Sequence, residues 1–157
     1  MGRWLGIDHG TKRVGIAVGS APGGIATPLA VVPAEPAESL YRKVAALSDE
    51  YGVEGVVVGW PLNMDDSEGP QGALARAAAL RLAEALDIDV RLWDERLSSY
   101  AADQALAGAF TRKQKKVRQD AVAAAEMLRD FLAADGPERA PRPQDAGPRP
   151  GAAKGRL

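Results

Sequence analysis

The chain has no cysteine and a single histidine, His9. The first absence excludes disulfides, thiolate metal sites and a cysteine nucleophile, and is compatible with the cytoplasm. No apolar run approaches the roughly 18 residues that a membrane span needs. No basic-then-apolar leader precedes Trp4-Leu5-Gly6-Ile7-Asp8, so the expected location is cytoplasmic, with no membrane partner. A strong net charge is also missing: the formal value is −1, which argues against a general polyanion binder. What positive charge there is clusters in Arg112-Lys113-Gln114-Lys115-Lys116-Val117-Arg118, so any affinity for nucleic acid should be local.

What is present suits one packed domain: 157 residues, 46% of them apolar. Residues 3–8 and 13–19 read as two strands of a hairpin. In the second, Val14, Ile16 and Val18 alternate with Gly15, Ala17 and Gly19, the period of a strand. Gly10 gives the connection its backbone freedom. A third strand is expected over 25–32, where Pro28 suits a bulge or an edge. The period then changes. Leu40, Val44 and Leu47 share one face of a helix over 37–51 that Gly52 ends. Val56-Val57-Val58 is a short run typical of a strand buried on both faces. A polar loop, Gly59 to Gly72, leads to a helix over 73–86, a strand over 90–93, a short helix over 99–108 and a final helix over 118–133. From Gly136 the chain is rich in proline and arginine and poor in large apolar residues. Residues 136–157 are therefore expected to be a disordered tail to a domain spanning 1–135. A meander followed by alternating helices and strands implies an α/β fold with a mixed five-stranded sheet, antiparallel and then parallel, and helices on its faces.

In this layout Asp8 ends the first strand, Glu95 follows the last, and Asp120 falls in the first turn of the final helix. Pairing of the first strand with the last would bring the first two carboxylates together, and a helix packed beside them would add the third. Clustered carboxylates repel one another unless a cation lies among them, and oxygen-only ligands favour Mg²⁺ or Mn²⁺. Such a centre can hydrolyse phosphodiesters. By spacing alone, the reading of the same residues as ordinary strand-end and helix-start charges comes ahead of the metal centre.

Four collinear segments go further. Gly6-Ile7-Asp8-His9-Gly10-Thr11-Lys12-Arg13-Val14-Gly15-Ile16-Ala17, Val58-Gly59-Trp60-Pro61-Leu62-Asn63-Met64 running on to Gln71, Trp93-Asp94-Glu95-Arg96-Leu97-Ser98-Ser99, and Lys115-Lys116 followed by Asp120-Ala121-Val122-Ala123-Ala124 resemble the motifs of the YqgF/RuvX family. That family is described both as Holliday-junction-resolvase-like and as nucleases of pre-16S rRNA. The resemblance covers about residues 3–133. It implies an RNase H-like fold and a catalytic, metal-holding set of Asp8, Glu95 and Asp120. The activity it implies is hydrolysis of phosphodiester bonds in 5′-end maturation of pre-16S rRNA during ribosome biogenesis. Gln119 departs from the aliphatic residue usual in the family, and Ser99 from the usual threonine; neither removes a carboxylate.

The candidate nucleic-acid contacts are Lys12, Arg13, Asn63, Arg96, Arg112, Lys113, Lys115, Lys116 and Arg118. Lys12 and Arg13 serve equally as solvation of the hairpin, and Arg96 as an ion-pair partner. His9 in a turn reads as polar surface, and Trp60 and Trp93 at strand ends as packing residues. The expected partner is structured RNA, within or outside a ribosomal precursor particle, for a monomer or homodimer. Branched DNA is the enzymatic alternative, since it needs the same carboxylates and basic surface. A non-catalytic rRNA-binding assembly factor is another. A sugar kinase or chaperone-type ATPase shares the Gly-Ile-Asp-x-Gly-Thr start but needs two lobes, and roughly 135 residues supply one.

Overall fold

The computed structural model describes residues 2–21, 24–95 and 112–146, with the helix backbone alone for 112–120. The helix expected over 99–108, and Arg96, lie outside the described residues. Strands β1 (Arg3–His9) and β2 (Arg13–Ser20) form an antiparallel hairpin. At its turn the Gly10 N–H donates to the Arg13 carbonyl at 2.9 Å, and a Cβ on residue 10 would lie 2.7 Å from that oxygen. Strand β3 (Ile25–Pro33) pairs with β2 at the sheet edge, and the register slips between Ile16 and Ala17, where Pro28 enters the ladder. Proline is tolerated there because an edge strand leaves amide positions unpaired.

Helix α1 (Ala37–Tyr51) buries Leu40, Val44 and Leu47, and ends at Gly52, whose φ of 61° needs glycine's freedom. Strand β4 (Gly55–Trp60) is buried throughout. Helix α2 (Pro70–Ala85) begins three residues before its expected start, with Pro70 at the first helical position, where a missing N–H costs nothing. Strand β5 (Asp89–Asp94) follows. The sheet order is β3-β2-β1-β4-β5, with β1–β4 and β4–β5 parallel. The first and last strands are therefore not neighbours, contrary to the simplest arrangement of the carboxylates: β4 lies between them.

Two cores result. On one face α1 and α2 cover Leu5, Ile7, Val14, Ile16, Val56, Val58, Trp60 and Leu92. On the other, helix α3 (Arg112–Ala133) lays Ala124, Leu128 and Phe131 over Trp4, Ala17, Val57 and Trp93. This second face is built of small residues. A Cβ on Gly6 would lie 2.8 Å from the Leu128 Cβ and 3.0 Å from the Ala124 carbonyl, and one on Gly19 would lie 3.1 Å from both Leu128 and Leu132. The alternation in β2 thus has two meanings: large residues face α1 and α2, and small ones admit the backbone of α3.

Helix α3 begins six residues earlier than expected. The basic run is helical, because Arg, Lys and Gln are good helix formers and neither glycine nor proline interrupts 112–133. Asp120 accordingly lies in the third turn and not the first. The C-terminal expectation also changes: residues 136–146 are folded, as short helices α4 (Gly136–Arg139) and α5 (Pro143–Ala146), with Gly136, Ala140 and Pro143 buried. Composition misses this because the segment is held through backbone carbonyls. Residues 147–157 lie outside the described residues. Among the described residues no helix is long and apolar enough to cross a membrane.

Gly6→Ala should lower stability by about 1–3 kcal/mol, the usual cost of overpacking a closed interior. Urea denaturation measures it; an unchanged midpoint would refute the close approach of α3 to β1.

Candidate active site

The register of the parallel strands places the site. Ile7 pairs with Val58, and Gly59 with Trp93, so Asp8, Gly59 and Trp93 stand nearly level at the carboxyl end of the sheet. Trp93 and Val57 face α3. By the period of two, Asp8, Gly59 and Glu95 point toward that face as well.

Gly59 is what lets two strands separated by a third share a site. A Cβ at residue 59 would overlap the Glu95 carboxylate and lie 3.0 Å from its Cδ. The Glu95 side chain therefore lies across β4, in the space a side chain there would fill, and reaches Asp8. Burial pushes its carboxyl up to about 8, reinforced by the negative charge of Asp8, a hydrogen bond between the two side chains, and the charge of Asp94. The two carboxyls are hydrogen-bonded to each other, so the pair keeps a proton well above the usual carboxylate range.

Helix α3 carries Asp120. Its track crosses Gly6 at Leu128 and Ala124. Residue 120 is one turn further along, in the direction in which β1 runs from Gly6 to Asp8. The side chain of Asp120 and those of Arg112, Lys113, Lys115, Lys116 and Arg118 lie outside the described residues. Among the described residues no group of three His, Cys, Asp or Glu side chains could hold a metal ion. The Asp8–Glu95 pair nonetheless fits a hard divalent cation by its chemistry: two carboxylates meet in a poorly solvated place and keep a proton between them, which a cation of higher charge would replace.

The surroundings sort the other candidates. Lys12 is exposed and Arg13 half-buried beside the hairpin turn. Asn63 is exposed at the tip of a small closed loop, where its amide donates to Ser67 Oγ at 2.7 Å and its N–H to the Ser67 carbonyl at 2.9 Å. Asp65 accepts from the Ser67 N–H at 3.0 Å, and Leu62 bridges to Glu68. Below the loop, Glu68 accepts from Trp60 Nε1 at 2.8 Å and from Arg76 through two bonds of 2.8 and 3.1 Å. The loop is thus a fixed platform. Trp60 and Trp93 are packing residues, only 1% and 7% exposed, and Trp93 meets Phe131 edge-on.

His9 departs from its expected place on the polar surface. It is half-buried, its Nδ1 has no hydrogen-bond partner among the described residues, and burial lowers its pKa, which leaves it neutral near pH 7. Gln71 was legible only as part of a motif. Its side-chain amide donates to the His9 carbonyl at 2.8 Å and so ties the start of α2 to the strand end that carries Asp8. Gly59 carried no chemical signal of its own, because its contribution is a missing side chain.

Comparison with known proteins agrees with this geometry. A family profile described as RuvX, Holliday junction resolvase, matches residues 2–134. A relative from Geobacillus thermodenitrificans, provisionally named pre-16S rRNA nuclease, is 39% identical over 133 residues, covering 83% of this chain and 96% of its own. One from Opitutus terrae with the same name is 42% identical over 149 residues, covering 91% and 99%. Among solved structures, Thermus thermophilus RuvC in complex with a Holliday junction superposes with a TM-score of 0.59 at 17% identity, covering 88% of this chain and 98% of that one. A second Thermus thermophilus RuvC structure gives 0.52 at 20% identity, covering 85% and 96%. The fold is RNase H-like, as the motifs imply.

The raised Glu95 carboxyl predicts a pH dependence. The folded state holds this proton more tightly than the unfolded chain, so its contribution to stability is full at low pH. It falls as pH rises from the ordinary carboxylate range to about 8. In EDTA, the melting temperature of Glu95→Gln minus that of the wild type should therefore widen from pH 5 to pH 8. Gly59→Ala, which displaces the carboxylate, should flatten the wild-type dependence in the same way. A difference constant with pH would refute the buried pair.

Proposed function

The chain belongs to the RuvX family, and from that membership and its buried carboxylate pair we propose that it is a divalent-metal-dependent endonuclease acting on the 5′ end of pre-16S rRNA. The observation that carries the reading is the meeting of Asp8 and Glu95 across Gly59 at the carboxyl end of the sheet. Two acids in such a place cost folding energy that a purely structural role does not recover. The RNA substrate is taken from the name borne by relatives about 40% identical over most of the chain.

In this reading Asp8, Glu95 and Asp120 hold Mg²⁺ or Mn²⁺. When bound, the metal supplies the positive charge that eases ionisation of the attacking water and offsets charge on the leaving oxygen. The water oxygen gives up a proton to solvent as it forms a bond to phosphorus, the bridging P–O bond breaks, and the leaving oxygen takes up a proton from solvent. Asp8 and Glu95 give up their shared proton when the metal binds, so metal affinity rises as pH rises toward about 8. Arg112, Lys113, Lys115, Lys116 and Arg118 on α3, with Lys12 and Arg13 at the hairpin and Arg96 beyond β5, draw the phosphate backbone to the carboxylates. Asn63 presents its exposed tip on the fixed loop to the substrate.

Branched DNA is the second reading, favoured by the description of the family and by the fold shared with RuvC. One experiment separates the two. Wild type and Asp8→Asn are incubated with a labelled 16S rRNA 5′ precursor, or with a four-way DNA junction, in Mg²⁺, Mn²⁺ or EDTA. The precursor should be cut only with metal. Asp8→Asn should cut at least about 100-fold more slowly, the scale of losing charge stabilisation in a transition state, while binding persists. Preferential cutting of the junction would transfer the assignment to DNA, and cutting in EDTA would refute the metal centre. Replacing Lys115 and Lys116 by Gln should weaken binding of the precursor and its salt dependence together. Full affinity in that variant would refute the placement of substrate along α3.

A further inference from the structure

The family match ends at residue 134, yet the chain beyond it is folded against the sheet. Asp135 reverses the chain with a φ of 58°, and α4 closes on the end of α3: a Cβ on Gly136 would overlap the Phe131 ring. Residues 140–142 then run along β5. The Leu92 N–H donates to the Pro141 carbonyl at 2.9 Å. Arg91 Nη1 donates to the Ala140 carbonyl at 2.7 Å, while its Nε and Nη2 hold Asp89 at 2.8 and 3.1 Å. Arg142 approaches Asp89 at 3.5 Å. Helix α5 continues onto α2 and β5, with Pro143 buried.

Among the described residues β5 is the outermost strand on its side of the sheet and is laddered only to β4. The outer edge of such a strand presents unpaired backbone groups, and its end is the first part to fray. Here that end delivers Glu95, three residues after Leu92. A carboxylate that must meet both Asp8 and a metal tolerates little displacement, since ligand distances are set within about 0.2 Å.

We propose that residues 136–146 form an edge clamp, and that Arg91 and the Ala140–Pro141 carbonyls are positioning groups that hold the end of β5 so that Glu95 lies in register with Asp8. The inference rests on the reading of Asp8 and Glu95 as a metal centre, and adds to it a segment outside the matched domain. The clamp acts through β5 and touches no substrate. Its polar contacts with β5 run from Asp89 to Leu92. Beyond them, a groove of about 600 Å³ lies between α3, Trp93 and Asp94 on one side and Arg139 to Pro141 on the other. The clamp therefore steadies the strand just before the site without closing over it.

The test uses the full chain and two variants that release the clamp from opposite ends. Arg91→Gln removes the hold on the Ala140 carbonyl. Gly136→Val forces α4 off Phe131 and leaves β5 untouched. Arg91→Lys keeps one donor and serves as the conservative control. Amide hydrogen exchange is followed at Leu92, at Asp94 and at Leu5 in the sheet centre, and Mn²⁺ affinity is measured by titration without substrate. Both releasing variants should speed exchange at Leu92 and Asp94 at least about 10-fold, leave Leu5 protected, and weaken Mn²⁺ binding about 10-fold, as loss of groups that orient metal ligands does. Arg91→Lys should recover most of the affinity. Faster exchange at Leu92 with Mn²⁺ affinity within twofold of wild type would reduce the clamp to an edge cover and overturn the proposal, as would unchanged exchange. A wild type that binds no Mn²⁺ would refute the metal reading instead. The clamp would then be judged by exchange at Asp94 alone, upheld if it quickens and refuted if it does not.

Discussion

A carboxylate on one strand meets a carboxylate two strands away only if the strand between them yields its space. At Gly59 it does. The side chain of Glu95 occupies the position a Cβ would need, and the acid is buried there against the charge of Asp8. Most of what surrounds the pair follows from that arrangement. β4 must run at the same level as β1, which the parallel register provides, and β5 must end one residue before the acid. The interior around the pair must also be dry enough for the two acids to keep their proton.

The same device recurs on the face toward α3. Gly6 and Gly19 lack the atoms that would hold the helix off the sheet, and the helix backbone comes close enough for the Ala124 carbonyl to crowd residue 6. Interiors pack to crystal-like density, so a surface of small residues sets the height of what lies on it. Lowering α3 onto β1 and β2 carries the backbone of its preceding turns toward the end of the sheet where Asp8 lies.

Polar contacts tie down the loops and strand ends around the site. Trp60, Glu68 and Arg76 lock the loop after β4 from below, and Asn63, Asp65 and Ser67 close its tip. Gln71 ties α2 to the end of β1, and Arg91 with the Ala140–Pro141 carbonyls holds the outer edge of β5. Each fixes a strand end or a loop that carries a candidate functional residue. Groups built on rigid elements keep the sub-ångström geometry that catalysis and metal binding require.

Periodicity by itself determined the hairpin, the order of strands and helices and the faces of α1 and β4, because alternation and 3.6-residue spacing are local properties of the chain. The motifs determined the family and, with it, the expectation of Asp8, Glu95 and Asp120. Tertiary structure alone decided how the acids meet. β4 lies between β1 and β5, and Gly59 matters through an absent atom that no pattern of residue types reveals. It decided that the charged run 112–118 is helical, since propensity there outweighs the loop-like composition. It decided that His9 is half-buried and that Gln71 reaches across 62 residues to a backbone carbonyl. It also decided that residues 136–146 fold. They are held by main-chain carbonyls on a strand edge, and carbonyls are the same in every residue, so composition could not distinguish this segment from a tail.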